Sequence, residues 1–223
     1  MKKYVVIVAG GNGTRMKNAV PKQFMELKGK PVLMHTIEKF SDTFPGITII
    51  VVLAKHLNDD WKALCTKHNF TTTHQLAEGG ETRYHSVKNG LEFVPNAAVV
   101  GIHDAARPLV SKETIAKTFE EAELRGNACP AVPLHDSIRF LKGKENCAVE
   151  RKNYMIIQTP QCFHSNLIKQ AFLKAYKPEF TDDASVLESF GEKINLIEGN
   201  DENIKITTPQ DIVIAEALMN KEF

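Results

Sequence analysis

Three apolar runs rich in valine and isoleucine, at residues 4–9, 47–54 and 99–103, show no alternation of polar and apolar positions. A strand with one wet face must alternate, so these runs read as strands covered on both sides, as in a parallel sheet between helical layers. The stretches between them have helical spacing. Residues 32–40 follow Pro31, which suits a first turn, residues 58–68 open on Asn58 as a capping residue, and residues 82–93 and 112–124 follow, the last after Ser111 as a cap. The order strand, helix, strand, helix predicts an α/β fold with an open, doubly wound, mostly parallel sheet. Ligands of such a sheet sit at the carboxyl ends of its strands.

Residues 135–157 break the rhythm, with a polar cluster and Gly143 between two extended flanks. This reads as a hairpin excursion that could serve as a solvated flap, a lid, or an arm packed on a second subunit. Beyond it, residues 165–176 and 182–190 read as helices, 194–198 as a strand and 208–219 as a closing helix, opened by Thr208-Pro209-Gln210-Asp211. A length of 223 residues fits a single domain over 1–223 with that excursion.

Lys plus Arg (28) nearly balances Asp plus Glu (27), which argues against nucleic acid or an anionic membrane as a partner and makes any anion site local. No apolar run approaches the roughly 20 residues of a membrane span, and the first strand begins by Tyr4, so a cytoplasmic protein without a signal segment is expected. Cys65, Cys129, Cys147 and Cys162 are far apart and are expected to be free thiols. The histidines form no zinc motif, so no structural metal is expected.

The segment Ala9-Gly10-Gly11-Asn12-Gly13-Thr14-Arg15-Met16 follows the first strand, with Pro21-Lys22-Gln23 beyond it. Its glycines let successive N–H groups approach an anion, and Arg15 and Lys22 add positive charge, as a triphosphate would require. A Walker loop is excluded because no G-x-x-x-x-G-K-[ST] string exists. The dinucleotide fingerprint fails at its third glycine, where Met16 stands. An ordinary βα turn with surface cations is the plainer alternative.

Four further groups bear on function. At the end of the third strand, His103-Asp104-Ala105-Ala106-Arg107-Pro108 offers a carboxylate for a hydrated Mg²⁺ or a sugar hydroxyl, and a guanidinium for phosphate; a structural Asp–Arg turn is the alternative. Gly79-Gly80-Glu81-Thr82-Arg83-Tyr84-His85-Ser86 joins tight glycines to a helix start that could recognise a base edge. Thr181-Asp182-Asp183-Ala184-Ser185 reads as a capped helix start, where the acidic pair would repel phosphate and favour hydroxyl recognition by Thr181. Lys205 is either a surface lysine or a residue reaching the same crevice, while Asn203 and Thr207 are read as fixing its turn.

With these residues in hand, the chain resembles the 2-C-methyl-D-erythritol 4-phosphate cytidylyltransferase family nearly end to end. The resemblance rests on AGGNGTRM, PKQF, GGETRYHSV, HDAARP, HDSIRF, QTPQCF, TDDASV and NIKITTP, in order. It implies a Rossmann-like nucleotidyltransferase sheet, with CTP as co-substrate and Mg²⁺ as the divalent cation, held in part by Asp104. Arg15, Lys22 and Lys205 would surround the CTP phosphates as the catalytic cations. Ala9, Gly10, Gly11, Gly13, Gly80, Glu81 and Ser86 would surround the rest of the nucleotide. Asp104, Arg107, Ser137, Thr159 and Thr181 would meet the methylerythritol phosphate. Arg151 would be carried by the arm into the partner subunit's site, making the unit a homodimer.

The chain departs from the family pattern at Gly10, where alanine is common, at Ser137, usually threonine, and at Lys152-Asn153-Tyr154. Ribitol-5-phosphate cytidylyltransferases share the glycine loop, PKQF and QTPQ, but Ala106 and the Asp183-Ala184-Ser185-Val186 run are closer to the methylerythritol enzymes. A non-catalytic nucleotide-binding regulator would have lost the cations Arg15, Lys22 and Lys205, and all are present.

Overall fold

A computed structural model of the chain describes residues 1–10 and 21–220. Arg15, Gly11 and Gly13 lie outside the described residues. In chain order the first half comprises β1 (Lys2–Val8), β2 (Glu26–Leu27), β3 (Lys30–Pro31), α1 (Val32–Thr43), β4 (Thr48–Leu53), α2 (Asn58–Lys67), β5 (Gln75–Glu78), α3 (Arg83–Leu91) and β6 (Ala98–Asp104). The second half comprises α4 (Lys112–Arg125), β7 (Asn127–Pro133), β8 (Arg139–Lys142), β9 (Glu145–Ala148), β10 (Met155–Ile157), β11 (Gln161–His164), α5 (Ser165–Ala171), α6 (Asp183–Ser189), β12 (Leu196–Glu198) and α7 (Pro209–Met219).

The expected parallel core is present: β6, β1, β4 and β5 are neighbours and run in the same direction. Val5, Val6 and Ile7 of β1 are all buried, which is why the run lacks alternation. Val5 and Ile7 point into one core with Phe40 of α1, Trp61 of α2 and Phe119 of α4, while Val6 points into a second core with Val87 of α3, Ile168 of α5 and Val186 of α6. Beyond β6 the sheet becomes mixed. Strand β11 is antiparallel to both β6 and β7, and β10 is antiparallel to the far half of β7. Ala131 of β7 pairs with Ile157 of β10 and with Glu198 of β12, so these two strands lie on opposite edges of β7.

Strands β2, β3, β5, β7 and β11 are additions to the expected set. Two other details differ. The helix expected over residues 165–176 ends as α5 at Ala171, and Asn58 does not cap α2: it is already helical, at φ −65° and ψ −39°, and its Oδ1 is buried without a partner. Ser111 does cap α4, accepting from Thr114 N–H at 2.9 Å. Asp211 accepts from Thr208 N–H at 2.8 Å, closing the start of α7. All four cysteines are free.

After β1 the chain goes to β4 and β5 on one side, then returns to β6 on the other. This reversal opens a crevice at the carboxyl end of β1. The strand exits are tied there by Ala105 N–H to the Val8 carbonyl at 3.1 Å and Ala9 N–H to the Val52 carbonyl at 2.9 Å. On the rear face, α3 lies flush on the sheet through Gly90, where an added Cβ would fall 2.5 Å from Val6 Cγ1 and 2.9 Å from Val52 Cγ2. Gly90→Ala is therefore expected to destabilise the protein by about 1–3 kcal/mol through overpacking, although alanine is favoured over glycine in a helix by roughly 1 kcal/mol. Urea unfolding of the variant checks the sign.

Candidate active site

The crevice is a cavity of about 550 Å³. Its walls come from Ala9 and Gly10 after β1, Lys22 and Gln23, the residues 79–83 and Ser86 leading into α3, Asp104 to Ala106 after β6, and Lys205. Sequences far apart thus meet where strand exits converge.

Each wall has a local cause. Gln23 is buried and donates from Nε2 to the Ala9 carbonyl at 2.9 Å, which brings its neighbour Lys22 to the β1 exit. Gly80 fits because a Cβ there would stand 2.4 Å from His85 Cβ. Its N–H donates to Ser86 Oγ at 3.0 Å, and Ser86 Oγ donates in turn to the Thr82 carbonyl at 3.0 Å. The serine hydroxyl therefore shapes the glycine wall. A Cβ on Gly10 would come 3.0 Å from that same Oγ, so glycine at this position relieves contact with Ser86. Glycine backbone and the Ser86 hydroxyl give this half of the crevice a flat stretch of wall, rimmed by Lys55, His56 and Glu81, a surface suited to a ring.

The other half is charged. Asp104, 8% exposed, accepts from Lys205 Nζ at 2.8 Å, with Arg83 Nε at 3.4 Å and Arg107 Nε at 3.5 Å. Burial alone would raise its pKa, but Arg83, Lys205 and Arg107 outweigh it and hold the carboxyl well below the usual range. Lys205 reaches this point because Ile206 N–H donates to the Ala106 carbonyl at 2.8 Å. Arg107 is braced by Nη1 donating to the Asn203 carbonyl at 2.6 Å.

Arg83 also forks onto Asp183, through Nη1 at 3.0 Å and Nη2 at 2.7 Å. The fork joins the first turn of α3 to the first turn of α6. Burial tends to lower the Arg83 pKa, yet Asp183 and Asp104 raise it, keeping the guanidinium charged. Asp183 is fully enclosed, and burial pushes its carboxyl upward against the pull of Arg83. At the same helix start, Asp182 accepts from Ser185 N–H at 2.9 Å and from Gln161 Nε2 at 2.8 Å. His103, next to Asp104, is completely buried, and burial lowers its pKa to about 4, so the ring is neutral near neutrality.

Of the residues marked in the sequence, Ala9, Gly10, Lys22, Gly80, Glu81, Ser86, Asp104 and Lys205 line this one cavity. Arg107 and Thr159 stand behind Asp104. Thr181 is exposed just before α6, and Ser137 and Arg151 are exposed on the arm, with Arg151 Nη1 donating to the His135 carbonyl. Within one chain the arm residues are not brought to the crevice walls. Residues given no role from sequence are Arg83, Asp183, Gln23, His103, Lys55 and His56, the last two lining the cavity after β4. Arg83 and Asp183 lay inside recognised motifs, but their partnership spans 100 positions and leaves no periodic trace.

The fold and crevice define an α/β protein with its ligand cleft at a strand switch, one half walled by glycines and the other built on Asp104 and three cations. The family IspD, 2-C-methyl-D-erythritol 4-phosphate cytidylyltransferase, matches residues 3–221, and the chain belongs to that family. It is 48% identical to the 2-C-methyl-D-erythritol 4-phosphate cytidylyltransferase of Bacteroides fragilis, over 98% of this chain and 100% of that one. It is 39% identical to the Bacillus velezensis protein of the same name, over 100% of this chain and 97% of the relative. Among solved structures, the Thermus thermophilus enzyme of that name superposes with a TM-score of 0.80 at 30% identity, covering 99% of this chain and 100% of that one. The 4-diphosphocytidyl-2C-methyl-D-erythritol synthase of Anaerococcus prevotii gives 0.83 at 28%, covering 99% and 96%.

Removing one member of the Arg83–Asp183 pair leaves a buried charge uncompensated, whereas removing both does not. Arg83→Met is expected to cost about 3 kcal/mol of stability, and Arg83→Met with Asp183→Leu to recover most of it. A double-mutant cycle by urea unfolding measures the coupling.

Proposed function

We propose that the crevice transfers a cytidylyl group from CTP to 2-C-methyl-D-erythritol 4-phosphate, giving 4-diphosphocytidyl-2-C-methyl-D-erythritol and pyrophosphate, in the cytoplasm as part of isoprenoid precursor synthesis. The observation that carries this reading is the meeting of Lys22, Lys205 and Asp104 with the Gly80–Ser86 wall in one cavity, in a chain that matches the family from residue 3 to 221.

The acceptor's phosphate oxygen attacks the α-phosphorus of CTP, and pyrophosphate leaves in line. A phosphate monoester has a second pKa of about 6, so the nucleophile is already ionised near neutrality and no general base is needed. The neutral, enclosed His103 fits such a site. The obstacle is repulsion between a dianion and a triphosphate, so rate comes from positioning and charge neutralisation. Ala9, Gly10, Gly80, Glu81 and Ser86 hold the base and ribose, and Gly11 and Gly13 serve CTP as well. Arg15, Lys22 and Lys205, the last paired with Asp104, surround the phosphates. Asp104, Arg107, Thr159 and Thr181 form the acceptor side.

Among the described residues no cluster of three metal-ligating side chains exists, and Asp104 Oδ1 has only the long 3.4 Å contact from Arg83. Such a donor set does not suit a protein-only cage; Asp104 would be the residue to hold a Mg²⁺ whose remaining ligands come from phosphate and water. When bound, the ion neutralises phosphate charge.

The arm completes the proposal. Hairpin β8–β9 is exposed along its length and displays Phe140 and Leu141, and Met155 and Ile156 of β10 are also uncovered. Packing these on a second copy would form a homodimer and carry Arg151 and Ser137 toward the partner's acceptor side.

Pyrophosphate release with CTP is expected with methylerythritol phosphate and not with ribitol 5-phosphate; the reverse preference would reassign the acceptor, and no release with either would mark a non-catalytic binder. Lys22→Ala is expected to lower kcat ~10²-fold or more with a smaller change in CTP affinity. Mixing Arg151→Ala dimers with Lys22→Ala dimers is expected to restore part of the activity through hybrid sites; no recovery despite subunit exchange would count against a shared site.

A further inference from the structure

Behind the Asp104 carboxylate, both ring nitrogens of the buried His103 have hydrogen-bonding neighbours. Nε2 lies 3.1 Å from the Arg107 carbonyl oxygen. A carbonyl only accepts, so Nε2 carries the hydrogen. Nδ1 of the neutral ring is then an acceptor, and Thr159 Oγ1, 3.0 Å away, donates to it. The same Thr159 oxygen accepts from the Asp104 backbone N–H at 3.1 Å.

Every bond in this relay therefore has a fixed direction: Asp104 N–H to Thr159, Thr159 hydroxyl to His103, His103 N–H to the Arg107 carbonyl. It begins and ends on one turn, which Arg107 N–H closes onto the Asp104 carbonyl at 3.1 Å. The two side chains are themselves held. Phe40 packs edge-on against the imidazole at 4.9 Å, and Asn203 Nδ2 donates to the Thr159 carbonyl at 2.9 Å.

We propose that His103, acting through Thr159, is a positioning residue for cytidylyl transfer, clamping the Asp104–Arg107 turn from behind so that its carboxylate and guanidinium present one fixed geometry to the acceptor. The inference rests on the reading of the crevice as the transfer site. It gives Thr159 a different task from direct donation to substrate: its single hydroxyl proton is committed to His103, and it acts on the acceptor through the Asp104 backbone. A rigid imidazole is suited to this place because it offers a donor at one end and an acceptor at the other. An amide in the same space reproduces one end at a time.

Two measurements test it. Long-range ¹H–¹⁵N correlation spectra of the full-length protein with ¹⁵N-labelled histidine, with the His103 signals assigned by their loss in His103→Gln, are expected to show the Nε2–H tautomer. In kinetics, Thr159→Val is expected to lower kcat about 10-fold or more through misplacement of the turn while leaving the KM for CTP within about twofold. Thr159→Ser, which keeps the hydroxyl, is expected to recover most of that loss. A His103 carrying its hydrogen on Nδ1, a Thr159→Val enzyme with wild-type kcat, or a Thr159→Ser enzyme as damaged as Thr159→Val would each overturn the role. A wild-type chain that releases no pyrophosphate would remove the reaction, whereas the opposite tautomer in an active enzyme removes only the clamp.

Discussion

A single carboxylate, Asp104, ties together cations that come from distant parts of the chain. It stands at the end of β6 and gathers Lys205, Arg83 and Arg107 around it. An isolated buried carboxylate would be costly, and three surrounding cations without it would repel one another. Together they form a part-buried cluster whose members come from the α3 start, the β6 exit and the loop before α7. Arg83 extends the cluster to Asp183 and so to α6. The Gly80–Ser86 wall and the Asp104–Arg107 turn are thereby fixed against each other through side chains, although they belong to different crossovers.

The arrangement divides the crevice by charge. Around Gly10, Gly80 and Ser86 the wall is backbone and one committed hydroxyl, which favours a ring held by shape and main-chain polar groups. Lys205 stands on the other side, paired with Asp104, and Lys22 lines the same cavity from the β1 exit. This explains how a chain with nearly equal acidic and basic totals builds an anion site: the cations are concentrated by topology at one strand switch. Salt bridges on the remaining surface, such as Lys62–Asp59, are exposed and contribute little.

The sequence shows the parallel half of the sheet because both faces of β1, β4 and β6 are covered, and that condition leaves unbroken apolar runs. It does not show β7, whose Asn127–Pro133 run contains two prolines, or the short β5 and β11, where Gln75 and Gln161 interrupt the apolar pattern. Those strands are specified by pairing with neighbours, which local composition does not record. The site divides in the same way. Glycines and cations at strand ends are readable because phosphate chemistry demands those residue types. Gln23, His103 and the Arg83–Asp183 fork are not, since their roles depend on partners brought close only by the finished fold.

A reaction between two anions has little use for a titrating base and much use for fixed charge. The polar interior behind Asp104 has that character. His103 is enclosed and neutral, Thr159 has its proton committed, and Asn203 is fully buried while bonding to Thr159 and bracing Arg107 through its carbonyl. His103 and Thr159 use both ends of their hydrogen-bonding capacity and Asn203 is held through Nδ2, its Oδ1 being buried without a partner among the described residues, so the geometry rests chiefly on the first two. The opposite character is found in the arm, where Phe140, Leu141 and Arg151 face solvent. Among the described residues the contrast is one of commitment: the groups behind Asp104 are held by partners within the chain, whereas the apolar and cationic side chains of the arm are left facing solvent.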